Sequence, residues 1–342
     1  MNQTLQKLRT KTSDSKFWDN KKKASIILKK ISQYERELEL WDNLKKRNDD
    51  LEVLFEFAND GENVIPDLQD ELLIYEKLVE KIEIRLLLGR TEDIKNSIIT
   101  IHPGAGGTES QDWVQMLYRM YSRWVERNGF SLDLIDIQPG EEAGLKEVTF
   151  EVKGDYAFGL SKSEGGVHRL VRISPFNKQA NRHTSFASMH VVPFFEEVPD
   201  QIDIEETELR IDTYRSSGAG GQHVNVTDSA VRITHLPSGV VVSCQNERSQ
   251  HQNKEKCMQM LASKLHDLER QQREDEIASI RGENKNVGFG SQIRSYVMQP
   301  YQMVKDLRSN FEIGAVENVL NGQIDPFIES YLRWIRSESN DN

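Results

Sequence analysis

Residues 96–113 read NSIITIHPGAGGTESQDW. The apolar, β-branched run ending at Pro103 predicts a strand. Pro103–Gly107 predicts a loop, and a helix follows from about Glu109 to Asn128. That helix repeats Trp113, Met116, Leu117, Met120 and Trp124 at steps of three and four, and Gly129 suits its C-terminus. Downstream, SLDLIDI, KEVTFEV, VHRLVRI and TSFASMHVV alternate as strands do. Sheet with helices laid against it is the α+β class.

Upstream the pattern is helical for about 90 residues. Ile27, Ile31, Tyr34, Leu38 and Trp41 form one seam, and Leu68, Leu72, Tyr75, Val79, Ile82 and Leu86 another. Pro66 suits a first helical turn. The two seams predict an antiparallel hairpin with a further helix in the acidic connection. Downstream, ELRIDTY is a strand entering a second glycine-rich loop, and AVRITH and VVVSC form a hairpin. A helix from about Ser249 carries the stripe Met260, Leu261, Leu265 and Leu268. The charged segment 270–286 reads as that helix's frayed end plus a linker. The last ~50 residues are ordered and end in a helix. The expected fold is multidomain α+β: a helical domain (1–90), a central sandwich-type sheet domain (91–202), and a domain of sheet plus long helix (203–285). A C-terminal helical segment (286–342) packs back on the central domain.

Composition bounds the function. The chain has 342 residues, 37% hydrophobic and 29% charged, which is ordinary for a soluble protein. No apolar signal core opens it, and no apolar run approaches the ~20 residues of a membrane helix. Cys244 and Cys257 are the only cysteines, so neither a disulfide framework nor a metal site is expected. These features point to a cytosolic protein. The net charge of −11 is concentrated: 49–80 holds eleven acids against Lys77, and 196–212 holds eight against Arg210. By contrast 162–182 carries five Lys or Arg against Glu164, a surface that can meet RNA phosphates.

The sequence GAGG occurs at 104–107 and again at 218–221, each time after a strand and before a polar helix start. Such loops expose backbone N–H groups to anions or carbonyl oxygens. A P-loop would need Lys and then Ser or Thr, and the dinucleotide spacing is absent, which argues against nucleotide binding. The second loop, RSSGAGGQHVN (215–225), ends on Gln222. An amide is neither acid nor base near neutral pH, but it can orient water, and its backbone N–H can stabilise developing negative charge. No triad or carboxylate pair is evident near it. The loop is half an active site, completed by another macromolecule.

Gly220-Gly221-Gln222 resembles the signature tripeptide of the class I peptide-chain release factors. Ser174-Pro175-Phe176, within RISPFNKQANRHTSF (172–186), resembles the tripeptide with which one branch of that family reads UAA and UGA. The resemblance continues through SKFWDN (15–20), GAGGTESQDW (104–113), RSQHQNK (248–254) and GSQIRSY (290–296), over nearly the whole chain. Taken singly, Ser-Pro-Phe is a turn and Glu109 a helix-start acid; six motifs in the family's order are more.

The resemblance implies a factor that triggers hydrolysis only on the ribosome, with no cofactor of its own. Gln222, expected to carry an N5-methyl group from a glutamine methyltransferase, would enter the peptidyl-transferase centre of 23S rRNA and meet peptidyl-tRNA. On the 16S rRNA side, Ser174, Pro175 and Phe176 would read the second base of the mRNA stop codon. Its hydroxyl, donor or acceptor, tolerates A or G. His183 would stack between the second and third bases, Thr184 bond the third, and Gly106 and Glu109 read the first U. Phe289, where the family usually has tryptophan, would belong to the segment that switches on codon recognition. A class II release factor GTPase is the further implied partner. Asn177-Lys178-Gln179-Ala180 and Val226 also depart from the family pattern. A codon-independent rescue factor would retain the Gly-Gly-Gln loop but typically lacks the helical and codon-reading domains and carries a basic tail, unlike SESNDN here. A non-catalytic RNA-binding paralogue is opposed by the intact loop.

Overall fold

A computed structural model describes residues 2–13, 17–18, 21–90, 92–105, 107–177, 179, 181–195, 204–214, 229–247, 249–280 and 292–340. The chain divides into two compact units, Met1–Leu86 and Leu87–Asn342.

The first unit contains α1 (Asn2–Thr12), α2 (Lys21–Asn59) and most of α3 (Ile65–Leu87). The further helix expected in the acidic connection does not exist. Instead α2 runs unbroken through it to Asn59, because nothing between Asp49 and Asn59 interrupts the backbone and the first glycine is Gly61 (φ 90°). Leu5, Ala24, Ile31 and Ile82 are buried, whereas Trp41 and Leu72 of the expected seams stand exposed. Arg47 pairs with Glu71, and the Tyr75 hydroxyl donates to Asn48 Oδ1 at 3.4 Å, tying α2 to α3.

The second unit is built on an eight-stranded sheet in the order β11-β10-β9-β4-β5-β1-β3-β2. Its strands are β1 (Ser97–Pro103), β2 (Ser131–Pro139), β3 (Leu145–Lys153), β4 (Gly166–Ile173), β5 (Arg182–Pro193), β9 (Gln292–Val297), β10 (Met303–Asp306) and β11 (Glu312–Ile313). All pairs are antiparallel except β4 with β9. The C-terminal segment is therefore not simply helical. It supplies three strands before α7 (Val316–Leu320) and α8 (Asp325–Asn340).

Helix α4 (Thr108–Arg127) lies on one sheet face with Trp113, Leu117, Met120 and Trp124 wholly buried; Met116 is only half-buried. Gly129 (φ 68°) ends it as expected, its N–H donating to the Glu126 carbonyl at 3.1 Å. Beneath α4, Arg294 is fully buried and forks onto Glu164 (2.5 and 2.7 Å), with Asp306 at 3.3 Å. Tyr121 donates to Glu164 at 2.9 Å, and Trp113 Nε1 to the His168 carbonyl at 3.1 Å. Burial holds the His168 imidazole down at about 4. This network fastens β9, hence the C-terminal segment, to β4 and α4.

The opposite face carries the three-stranded sheet β6 (Leu209–Tyr214), β7 (Ala230–His235) and β8 (Val241–Cys244), with α6 (Gln250–Ile280) against it. Ile98, Ile135 and Val192 of the large sheet share one core with Val231, Ile233, Val242, Met260, Leu261 and Leu265. Leu268 of the expected stripe is half-buried. The Ser243 hydroxyl and the Gln245 amide both donate to Asp136 at 2.7 Å, and Lys256 reaches Glu151 at 3.4 Å.

Candidate functional site

Strands β4 and β5 pair in register from Gly166↔Met189 to Ile173↔Arg182, so the described residues 174–177, 179 and 181 lie at the tip of a hairpin. The Ser174 N–H donates to the Asn181 carbonyl at 3.1 Å and closes the tip. Ser174 is buried, and its Oγ accepts from the backbone N–H groups of Phe176 (3.1 Å) and Asn177 (3.0 Å). A hydroxyl has two lone pairs, so in this arrangement it keeps only its proton to offer. That narrows the sequence expectation of a hydroxyl free both to donate and to accept. Phe176 is exposed at the tip.

Asn177 organises the rest of the tip. Its Oδ1 accepts from the Gln179 N–H at 2.9 Å, and its Nδ2 donates to His183 Nε2 at 3.1 Å. Period-two alternation then separates two expected readers. His183 pairs in register with Arg172, whose side chain turns to α4, whereas Thr184 is exposed opposite Val171 on the other face.

The loop between β1 and α4 meets the same hairpin. Gly104 N–H donates to the Phe186 carbonyl at 2.8 Å, and a Cβ on Gly104 would lie 3.0 Å from Phe186 Cβ. Gly107 (φ 59°) turns the chain into α4, which delivers Glu109 nearly buried. Arg172 bridges Glu109 Oε2 at 3.2 Å and Asp112. The other carboxylate oxygen, Glu109 Oε1, is buried without a hydrogen-bond partner among the described residues. Ser174, Phe176, His183, Thr184 and Glu109 are therefore gathered at one end of the sheet; Pro175 is at the tip, and Gly106 lies outside the described residues.

Gly220, Gly221, Gln222, Val226 and Phe289 also lie outside the described residues. The flanks of the Gln222 segment are fixed: Tyr214 at the end of β6 pairs with Ala230 at the start of β7. The 215–229 connection thus joins neighbouring antiparallel strands at one edge of the small sheet. Any helix start after the second GAGG would fall outside the described residues; the next described element is strand β7.

A family model described as the PCRF domain matches residues 1–189, and one described as the RF-1 domain matches 196–308. Peptide chain release factor 2 of Pseudothermotoga lettingae is 49% identical over 336 residues, which are 98% of this chain and 91% of that protein. The chain belongs to the peptide chain release factor 2 family. Peptide chain release factor 2 of Nitratiruptor sp. is 52% identical over 320 residues, covering 92% of this chain and 86% of the relative. A solved structure, RF2 of Thermus thermophilus, superposes with a TM-score of 0.71 at 40% identity, over 98% of this chain and 95% of that one.

As a member of the peptide chain release factor 2 family, the protein is a translation factor that acts in termination. The hairpin tip falls within the PCRF match, and Gly220-Gly221-Gln222 and Phe289 within the RF-1 match. Two residues, one in β4 beside the tip and one at the tip, were missed from the sequence. Arg172 shares the parity of the inward-facing His168 and Leu170, a signal that period two could have supplied. Asn177 sits in the stretch singled out only as a departure from the family pattern, and no local signal marks its bond to His183. Among the described residues, no helix is long and apolar enough to cross a membrane.

Proposed function

We propose that this release factor terminates translation at UAA and UGA, and that it triggers hydrolysis of peptidyl-tRNA only within the ribosome. The supporting observation is the retention of Ser174-Pro175-Phe176 and Gly220-Gly221-Gln222 in a chain 49% identical to a peptide chain release factor 2 over 98% of its length. The match over residues 1–189 covers the portion that a codon-independent rescue factor lacks, which favours the codon-dependent reading.

In this reading Ser174 faces the second base. With both lone pairs occupied by Phe176 and Asn177, its hydroxyl donates, and the acceptors it can meet are N7 of either purine or O6 of guanine. A donor aimed at N7 does not distinguish A from G. His183, held by Asn177, stacks between the second and third bases, and Thr184 meets the third base on the opposite side of the strand. The unpartnered Glu109 Oε1 and the Gly106 backbone take the first U. An acceptor at Thr184 suits adenine's amino group and opposes guanine's O6, at a cost of about 1–3 kcal/mol for the unpaired contact.

At the other end, Gln222 enters the peptidyl-transferase centre on a backbone kept narrow by Gly220 and Gly221. Water forms a bond to the ester carbonyl carbon, the bond to the ribose 3′ oxygen breaks, and that oxygen takes up a proton. The Gln222 N–H stabilises the charge that develops there. In this reading the ribosomal RNA builds the rest of the reaction site, so the protein is not an enzyme in isolation. An N5-methyl group on Gln222, a class II release factor GTPase and a cytoplasmic setting complete the proposal. The test is single-turnover release on ribosomes programmed with UAA, UGA, UAG and UGG. Release is expected at the first two; equal rates on UGA and UAG would overturn the codon assignment.

A further inference from the structure

The stretch RSQHQNK (248–254) has no role in the function described so far, yet it holds a side chain whose hydrogen-bonding capacity is fully used. Asn253, in the first turns of α6, is wholly buried. Its Oδ1 accepts from the Glu247 N–H at 3.0 Å and from the Cys244 thiol at 3.3 Å. Its Nδ2 donates to the Glu247 carbonyl and to the Ser229 carbonyl, each at 2.8 Å. Two donors and two lone pairs are all used.

The partners matter more than their number. Ser229 is where the described chain resumes after 215–228, one residue before β7, and so is the downstream foot of the segment that carries Gly220-Gly221-Gln222. Glu247 lies between β8 and α6. Neither residue belongs to a strand ladder. The packing of β7 and β8 on α6 comes from Val231, Ile233, Val242, Met260 and Leu261, and does not need a buried amide. What the amide adds is direction: it ties the foot of the segment to a rigid helix at one place.

We propose that Asn253 is a positioning residue for peptide release, fixing through Ser229 where the Gln222 segment leaves its domain. The inference rests on the release-factor reading above. Delivering a backbone N–H to a reacting carbonyl tolerates little displacement; a misplacement of about 1 Å costs on the order of 10²-fold. Anchoring of this kind affects the rate on the bound ribosome, not the affinity for the stop codon, which is read at the far tip of β4 and β5.

The test uses the full-length factor and UGA-programmed ribosomes carrying peptidyl-tRNA, with release followed at rising factor concentration. Asn253→Asp keeps the shape but turns an acceptor on two carbonyl oxygens. It is expected to lower the saturating release rate on the order of 10- to 100-fold, with the half-saturating concentration and the UGA-over-UGG preference unchanged. Cys244→Ala, which removes only the thiol donor, is expected to release like wild type. An unchanged saturating rate overturns the proposal, as does a loss expressed in half-saturation, or an equal loss in Cys244→Ala. Asn253→Ala replaces the Asp variant should thermal unfolding show the latter unfolded; if neither folds, Asn253 is a folding residue and the proposal fails. A wild-type factor that does not release at all refutes the release reading itself, independently of Asn253.

Discussion

Arg172 Nη2 donates to Glu109 Oε2 at 3.2 Å, which joins two stretches separated by 63 residues in sequence. Arg172 lies two residues before Ser174, and Glu109 lies in the first turn of α4, so the ion pair ties the hairpin to the helix start. Arg172→Gln leaves Glu109 and Asp112 facing each other in a nearly buried site. Stability is expected to fall by about 1.5–3 kcal/mol, and release at UAA and UGA to slow together. Urea unfolding and a double-mutant cycle with Glu109→Gln check this; additive effects in the cycle would show that the pair is not coupled.

The Ser174 hydroxyl leads to a prediction about the codon rather than the protein. If it donates to purine N7, substituting 7-deazaguanine or 7-deazaadenine at the second position removes the acceptor and slows release about 2- to 10-fold at either codon. Ser174→Ala should be insensitive to the same substitution. Equal sensitivity in wild type and variant would place the N7 contact elsewhere.

Substitution at Gly221 separates the backbone of the release loop from its side chain. Gly221→Ala puts a Cβ on the approaching backbone and is expected to lower release by about 10²–10³ while leaving ribosome binding intact. Gln222→Ala keeps the N–H and should be milder, chiefly loosening the choice of water over added nucleophiles such as hydroxylamine. Complete and equal loss in both would contradict the backbone assignment.

His168 sets a stability limit in acid. Burial depresses its folded value to about 4, while in the unfolded chain it titrates near its ordinary value of 6.5. The unfolded state therefore binds a proton first, and stability is lost progressively as pH falls from 6.5 towards 4, by about 3 kcal/mol. Glu164 acts in the same sense: burial pushes it up, but Arg294 more than offsets this and holds it below the usual carboxylate range, so its contribution is lost as pH falls through that lower value. Urea midpoints at pH 7.5, 6 and 5 should fall in order. His168→Gln should flatten the slope between 6.5 and 5; an unchanged slope would place the acid sensitivity in other groups.

Much was legible in the chain because periodicity and turn chemistry are local. The α4 stripe, its stop at Gly129 and the hairpin of β7 and β8 followed from spacing alone, and the order of short motifs identified the family. Where the sequence reading failed, two equally local options competed. The acidic run suggests a separate connecting helix, but charge does not interrupt a backbone that lacks proline and glycine, so α2 continues through it. Trp41 and Leu72 kept helical period yet stand exposed, because period fixes which side of a helix a residue occupies and not whether anything covers it.

Only the tertiary structure decided which residues meet. The parallel pairing of β4 with β9 brings Arg294 onto Glu164 across 130 residues, and no pattern in either segment encodes that neighbour. The same holds for Arg172 with Glu109, and for Asn253 with Ser229. Most helices and strands of the first three hundred residues, and the short motifs that mark the family, are legible in the sequence, since each depends on residues a few positions apart; the C-terminal strands are not. The side of the strand on which His183 and Thr184 stand, the single proton left on the Ser174 hydroxyl and the four partners of the Asn253 amide were settled by packing, because a buried polar atom takes its partner from whatever the fold places within hydrogen-bond distance.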